Sequence, residues 1–573
     1  MNKSAPKPLF HPRLLDVFSG KISDFSWSTE ILSGLTVGLI ALPLALALGI
    51  ASIPQGSITP FPAPAIGIFT AIIAGAIIAG FGGSRVQIGG PTAAFIPIVL
   101  MIIQEHGYSG LLVATLMAGV ILIFMGLTRM GTLIKYIPWP VTSGFTTGIA
   151  ISIMLSQVPD FLGLRITEAS PHEFFEKMMW LGRHASSLNP ITAVLGVLSV
   201  GIILFWPRLK FKRIPGSIVA MLIASLCVGI SGWGNTQDVA TIASKFGADA
   251  LAVSFPSPHL PHIEWAMVHD LLGPATAIAL LGAIESLLSA VVADGLSGDR
   301  HDSNTELIAQ GIANLTCPFF GGLPATGAIA RTTANINSGA KTPISGIVHA
   351  LTLLLLILVG AKLAGKIPMT AMSAVLVVVA IRMGDWHELK RCHKMPRSDA
   401  LVLLTTFGLT VVFDLVIAIQ VGMVLAAMLY IRRVSETTEV SQVTDQDMLE
   451  RPEHLAQGKS IPEGVQVFRI FGPFMFGAAE KMEAALEASG ELPPVLILRL
   501  HLVTAMDATG LNALESLVER MMDHKKKVIL SGVHLQPLSM MRKSGFVDQL
   551  GFENFTATFD DALLLAEELL KKT

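Results

Sequence analysis

Long apolar runs separated by short polar breaks make up the chain as far as residue 431, where the pattern changes. The runs are 31–50, 62–80, 91–104, 109–127, 140–158, 190–206, 214–232, 271–293, 305–320, 326–338, 343–362, 369–382, 399–413 and 414–431. Fourteen is an even number, which brings both ends of the series to one side of a bilayer. A helix needs about 20 residues to cross ~30 Å of hydrocarbon, and several runs are shorter. Two of the short ones begin alike. Run 91–104 follows Gly89-Gly90-Pro91, and run 326–338 follows Gly321-Gly322-Leu323-Pro324. Such Gly/Pro steps end one conformation and start a helix. Each is the third run of a group of seven. Seven is odd, so the groups are expected to be inverted, and paired interrupted segments point to a transporter site. The two helix starts are expected to face each other near the midplane. Each brings free N–H groups and roughly half a positive charge, which together suit an anion.

Beyond Arg433 the periodicity is that of a small α/β domain. Residues 434–462 are polar and read as a linker. Val465–Phe471, Pro494–Leu502 and Val528–Leu530 read as strands. Gly510–Lys526, Leu535–Ser544 and Phe559–Lys572 read as helices. Strand–helix alternation implies such a domain. Met506-Asp507-Ala508-Thr509-Gly510 joins a strand to a helix start.

Composition agrees with this division. Of 573 residues, 52% are hydrophobic and only 14% charged, against about 25% charged in a soluble domain; mean hydropathy is +0.63. Twenty-one of the 42 Asp and Glu lie beyond Arg433, so the first part is more apolar still. The net charge of −2 gives no basic surface for nucleic acid. Cys227, Cys317 and Cys392 are far apart and form no CxxC, so no disulfide framework or thiolate metal site is expected. Lys3, Lys7, Arg13 and Lys21 precede the first apolar run without a short apolar core and cleavage site, so no cleaved signal peptide is expected.

Basic residues orient the spans. With the N-terminus inside, the inner loops carry Arg85; Arg129 and Lys135; Arg208, Lys210, Lys212 and Arg213; Arg300; Lys341; and Lys390, Arg391, Lys394 and Arg397. Arg432 and Arg433 close the series. The outer loop 233–270 holds only Lys245. This distribution fits the positive-inside rule, with Lys362 and Lys366 as exceptions.

A few side chains could carry chemistry. Arg331 lies five residues into the second broken run, where a cation is costly and should face a cavity or a carboxylate; it either assists anion binding or makes a structural pair. Glu285 stands mid-run in Ala279–Ala290. A carboxylate there is expensive when ionised, so it suits proton coupling, or it bonds free backbone at the helix breaks. Thr92 and Thr326 open the two broken helices, as anion donors or as caps. Gly34/Gly38 and Gly144/Gly148 are GxxxG pairs that permit close helix packing. His349 reads as a hydrogen-bonded packing residue. Gly458-Lys459-Ser460 ends like a P-loop, but Glu453 stands where its first glycine belongs. No HExxH or Gly-x-Ser-x-Gly occurs, so no ATPase, zinc or hydrolase signature is present.

Taken together, these motifs resemble the SulP family, also called the solute carrier 26 family, of anion transporters. The resemblance covers essentially the whole chain. It rests on Asp302-Ser-Asn-Thr-Glu-Leu-Ile-Ala-Gln-Gly311, Asn314 and Pro318-Phe-Phe-Gly-Gly-Leu-Pro-Ala-Thr326 through Arg331, on Ser84-Arg85 and Gly90-Pro-Thr-Ala-Ala94, and on Asp414-Leu-Val-Ile-Ala-Ile419. Residues 506–510 resemble the signature of a STAS domain. The resemblance implies a polytopic α-helical membrane protein, with fourteen segments in a 7+7 inverted repeat of core and gate domains, moving like an elevator. It implies a dimer in the inner membrane, with both termini and the STAS domain cytoplasmic. The expected parts are an N-terminal segment 1–30, a transport domain 31–433 (repeats about 31–232 and 271–431), the linker 434–462 and a STAS domain 463–573.

The implied substrate site is Pro43, Leu44, Thr92, Ala93, Thr326, Gly327, Ala328, Ala330 and Arg331, with Glu285 as the proton-coupling carboxylate. No metal or other cofactor is implied. Where many members have Pro-Gln and Ser-Arg, this chain has Pro43-Leu44 and Ala330-Arg331. Pro64-Ala-Ile-Gly-Ile-Phe69 only partly keeps the helix-two pattern Pro-x-Tyr-Gly-Leu-Tyr. Fewer polar donors weaken the case for sulfate. Ile40-Ala-Leu-Pro-Leu-Ala-Leu-Ala47 and Ala328-Ile-Ala-Arg331 resemble the DauA-type C4-dicarboxylate branch. Proton-coupled dicarboxylate uptake is therefore expected, with sulfate or bicarbonate transport, sodium-coupled or not, or an anion channel as alternatives. In the STAS turn, Asp507 and Thr509 are the residues of note. Ala508 has no hydroxyl, so Thr509 is the candidate for phosphorylation. An assembly role, or a cytoplasmic protein partner, is the plainer expectation.

Overall fold

In a computed structural model, the structure describes all residues except 1–9, 21, 23–24, 55, 133–137, 167–170, 172–173, 209–214, 235–237, 248–250, 252–255, 262–264, 414, 444–459, 476–477, 489–490 and 573. Lys3, Lys7, Lys21, Lys135, Lys210, Lys212, Arg213, Asp414, Glu453, Gly458 and Lys459 fall outside the described residues. Two compact units result, Met1–Val424 and Leu425–Thr573.

Every apolar run is a helix, and the last of them runs from the first unit into the second. They are α2 (Trp27–Ser52), α3 (Ala63–Phe81), α4 (Ile96–Leu127), α5 (Trp139–Leu162), α7 (Pro190–Phe205), α8 (Gly216–Ser231), α11 (Leu272–Ser297), α12 (Ser303–Thr316), α13 (Ile329–Asn337), α14 (Ile344–Ala364), α15 (Met369–Met383), α17 (Arg397–Val412) and α18 (Leu415–Thr437). Gly107 breaks α4 with φ 69°, so two expected runs share this one element. Leu14–Phe18 and Phe174–His184 are further helices that the apolar pattern did not announce. Five helices among the described residues are singly long and apolar enough to cross a membrane.

Helix pairing repeats itself across the two halves. α2 packs on α14, and α11 packs on α4; α3 packs on α14, and α12 on α4; α5 packs on α17, and α15 on α7. A two-fold relation between two sets of seven produces such pairs. The pairs also sort the helices into a group around α2–α4 and α11–α14 and a group around α5, α7, α8, α15 and α17.

Glycines set the closest crossings. Carbons added at Gly34 or Gly38 would strike Val348 and Thr352 of α14, and at Gly144 or Gly148 they would strike Leu403 and Thr410 of α17. Between α2 and α3, a carbon on Gly67 would stand on the Ala45 carbonyl oxygen and 2.8 Å from the Gly49 nitrogen. Backbone cannot rotate away as a side chain can. Gly67→Ala is expected to destabilise the folded protein by at least ~1–3 kcal/mol. Gly80→Ala, with nothing within 4 Å, should not. Melting temperatures in detergent check the pair; equal values would show that α2 and α3 can separate freely.

The second unit is a five-stranded sheet in the order β3–β4–β5–β6–β7. Its strands are β3 (Glu439–Val443), β4 (Val465–Phe471), β5 (Val495–Leu502), β6 (Lys527–Ser531) and β7 (Phe555–Thr556); only β3 is antiparallel to its neighbour. Period-two alternation sends Leu496 and Leu498 to one core with Leu514 and Met521, and Val495 and Ile497 to the other with Phe559 and Ala566. The helices expected at 510–526, 535–544 and 559–572 are Ala508–Asp523, Leu535–Ser544 and Phe559–Lys572; Ala478–Ala488 is additional.

Two expectations need correction here. The stretch 434–462 is not a plain linker: α18 continues to Thr437, and Glu439–Val443 is the edge strand. Its polar side chains suit an edge, where one face stays wet. The first membrane helix starts at Trp27, not 31.

Candidate functional site

The two Gly/Pro steps meet. β1 (Gly89–Gly90) and β2 (Thr326–Gly327) pair antiparallel, Gly89 with Gly327 and Gly90 with Thr326. Ala328 N–H donates to the Ile88 carbonyl at 2.9 Å. Gly90 has φ +150°, and a carbon there would lie 2.5 Å from Arg331 Nη1, so only glycine fits. The helices begin later than the sequence suggested. A 3₁₀ turn, Ala93–Phe95, precedes α4, and α13 starts at Ile329, so Arg331 is its third residue.

Side chains from distant parts of the chain satisfy the broken backbone. Gln87 Nε2 donates to the Ser286 carbonyl at 3.1 Å, and the Ile88 N–H to Thr332 Oγ1 at 3.0 Å. Asn314 donates to the Ala325 carbonyl and accepts from its N–H, at 2.8 and 2.9 Å. Glu306 accepts from the Gly83 and Ser84 N–H groups and from Gln310. These supports escaped the sequence reading, although Glu306 and Asn314 sit in its most specific stretch. Their visible signal is a polar side chain inside a run destined for burial.

Arg331 is 1% exposed. One guanidinium nitrogen donates to the Pro91 carbonyl across the crossing, while Nε and Nη1 have no hydrogen-bond partner among the described residues. α11 turns one face to the crossing: Gly282 accepts from Thr326, Ser286 accepts from Gln87, and Ser289 donates to Thr332. Half-buried Glu285 belongs to the same helix stretch, and its carboxyl lies within interaction range of both the Thr92 hydroxyl and Arg331. Its neighbours are thus a hydroxyl and a cation rather than the free backbone of the helix breaks.

The remaining expected residues divide. Ala93, Gly327 and Ala328 line the crossing and are buried. Thr326 does not offer a donor: its hydroxyl is spent on the Gly282 carbonyl at 2.8 Å. Thr92 does not cap its helix; Oγ1 is buried without a regular hydrogen bond. Ala330 is exposed on the side of α13 away from buried Arg331. Pro43 is buried within α2, and half-buried Leu44 packs against Ile203, Ala220, Val375 and their neighbours. His349 is buried but not bonded, contrary to expectation. In the second unit, Asp507 accepts from the Gly510 N–H at 2.8 Å and caps a helix, and Thr509 is exposed. No group of His, Cys, Asp and Glu among the described residues could hold a metal.

A large cavity, about 1080 Å³, is elsewhere. It lies between the ends of α2 and α5 and the first turns of α4, is lined by Ile53, Ile96, Pro97, Gln104, Ser156 and Asp160 among others, and includes neither Glu285 nor Arg331. Ile96 and Pro97 bring it within one helical turn of Thr92. It suits an access route, whereas the buried donors lie at the crossing.

A bundle of two inverted sets whose broken helices cross around a buried cation defines the class of membrane secondary transporters. The chain belongs to the sulfate permease family, whose profile matches residues 28–406; a STAS domain matches 459–562. It is a multi-pass membrane protein of an anion-transporter family, not an enzyme. It is 37% identical to a putative sulfate transporter of Bacillus subtilis, over 95% of this chain and 99% of that one. It is 31% identical to the bicarbonate transporter BicA of Picosynechococcus sp., over 90% of each. The solved structure of the murine solute carrier 26 member A9 anion transporter shares the fold, with TM-score 0.82 at 18% identity over 99% of this chain and 96% of that one.

Proposed function

We propose that this chain takes up a small anion together with protons, and that the anion is a C4-dicarboxylate such as succinate, fumarate or aspartate. The observation that carries the anion site is Arg331, buried between two helix starts with two N–H-bearing nitrogens unpartnered. Thr92, Ala93, Gly327 and Ala328 form its walls with that cation. An ionised Glu285 competes with the substrate for Arg331, and a proton on Glu285 removes the competitor. Proton and anion then bind together by linkage. The committed Thr326 hydroxyl leaves a site poor in donors, which suits two spaced carboxylates better than a compact oxyanion. Sulfate or bicarbonate is the second reading, favoured by the names of the relatives at 37% and 31% identity.

In the same proposal, the helix group around α2–α4 and α11–α14 carries the site past the other group, as an elevator would. Both termini and the STAS domain lie in the cytoplasm of an inner-membrane protein in this reading, which the basic loops support, and the large cavity then opens outward. The working form is a dimer, divided as the sequence suggested except that β3 joins the STAS domain. The STAS domain serves assembly or binds a cytoplasmic protein.

Labelled succinate uptake into proteoliposomes, with and without an inward proton gradient, tests the proposal. Gradient-driven accumulation is expected. No uptake above empty liposomes by folded protein would reject dicarboxylate and bring forward sulfate and bicarbonate, each with and without sodium.

A further inference from the structure

Arg331 has a buried neighbour that the proposed cycle does not use. His349 lies on α14 with 0% exposure, and neither ring nitrogen has a hydrogen-bond partner. Such groups are normally paired when buried. Glycines determine where the ring sits. Gly34 and Gly38 let α14 come close to α2, and Gly75 leaves room on α3: a carbon there would lie 3.3 Å from His349 Cε1 and Nδ1. Gly90 links Arg331 to the same stretch of α3. The position a carbon on Gly90 would take is 2.5 Å from Arg331 Nη1 and 3.4 Å from Ala71 Cα. Ala71 and Gly75 are four residues apart, which is ~6 Å along a helix. Both groups thus lie near one stretch of α3, the guanidinium towards Ala71 and the imidazole at Gly75, within electrostatic range of each other.

The surroundings leave Arg331 as the charged neighbour of the ring. α3 carries no charged residue between 63 and 81. On α2, Glu30 lies at the far end and already accepts from the Lys341 and Thr342 N–H groups. Arg331 Nε and Nη1 are donors without acceptors, and an imidazole always offers a lone pair when neutral. The two deficits are complementary.

We propose that His349 positions Arg331 for the anion: its ring accepts, through one bridging water, from the guanidinium edge not used by Pro91, and so holds the remaining N–H groups toward the crossing. The inference rests on reading Arg331 as the anion's ligand. The test is a double-mutant cycle in proteoliposomes with His349→Leu, Arg331→Lys and the pair. It reads KM and Vmax for labelled succinate, with labelled sulfate and bicarbonate in parallel. His349→Leu is expected to raise KM about tenfold with Vmax within about twofold, one charge-assisted hydrogen bond's worth of affinity. The pair should be no worse than Arg331→Lys alone, and His349→Gln, which keeps an acceptor, should recover most of the loss. A wild-type KM in folded His349→Leu, or effects that multiply in the pair, would overturn the inference. Should His349→Leu not fold, His349→Asn decides: its shorter side chain withdraws the acceptor, and an unchanged KM counts against positioning. A wild-type KM in Arg331→Lys for all three anions would instead reject the anion site itself.

Discussion

An Arg331→Ala variant is expected to lose anion binding, with apparent affinity down by about a hundredfold or more, while still folding. Two guanidinium nitrogens are buried without partners at the crossing. A hydrogen bond to a charged group contributes ~1.5–3 kcal/mol, so two lost contacts weaken binding by a factor of about 10² to 10⁴. The fold has other ties at this point. Gly89 still pairs with Gly327 and Gly90 with Thr326, and Asn335 still donates to the Val86 carbonyl at 2.9 Å. Removing the side chain also removes the cost of holding a cation in a dry interior. Uptake kinetics and the anion-dependent shift in melting temperature check this together. Unchanged affinity in a folded variant would take Arg331 out of the site.

Glu285→Gln is expected to separate anion transport from the proton gradient. In the proposed cycle an ionised Glu285 neutralises Arg331 from within. A unit charge at 4–6 Å is worth ~3–4 kcal/mol at an effective dielectric of about 20. Acidification is therefore expected to speed native uptake, because the protonated carboxyl would release Arg331 to the anion. Glutamine imitates that released state at every pH. The variant should bind anion at neutral pH as tightly as the native protein does in acid, and should show a flat pH profile. It should equilibrate the anion across the membrane but not concentrate it against a gradient. Counterflow and gradient-driven uptake at two pH values distinguish these behaviours. A variant that keeps the native pH dependence would exclude Glu285 as the coupling group.

Much of this architecture was legible because lipid imposes a severe grammar. A run such as Ala63–Phe81 has no alternative to a helix in hydrocarbon, and the Gly-Gly-Pro steps at 89–91 and 321–324 have few uses other than breaking one. The strands of the second unit were legible where both faces are buried, as in Val495–Leu502. Glu439–Val443 was not, since an edge strand needs only one apolar face and its five residues look like linker. Site detail failed where it depended on partners far along the chain. Nothing near Thr326 announces that Gly282 takes its hydroxyl, and nothing near His349 reveals that Arg331 comes within electrostatic range of it. The exposure of Ala330 has a simpler cause. This residue neighbours Arg331 in sequence, but a helix turns adjacent residues about 100° apart.

The two-residue ladder between Gly89–Gly90 and Thr326–Gly327 also bears on how the protein is made. Gln87, Ile88, Gly89 and Gly90 find their partners only in the second half; Ile88 and Thr332 are 244 residues apart. At a synthesis rate of roughly 5–20 residues per second, the first broken helix waits on the order of tens of seconds for its counterpart. Until then its polar opening stands unmatched in or beside the bilayer. Biogenesis thus has a vulnerable interval that runs past its midpoint, when the newborn half offers quality control an unfinished surface, and the crossing around Arg331 comes into being only after the second half has inserted.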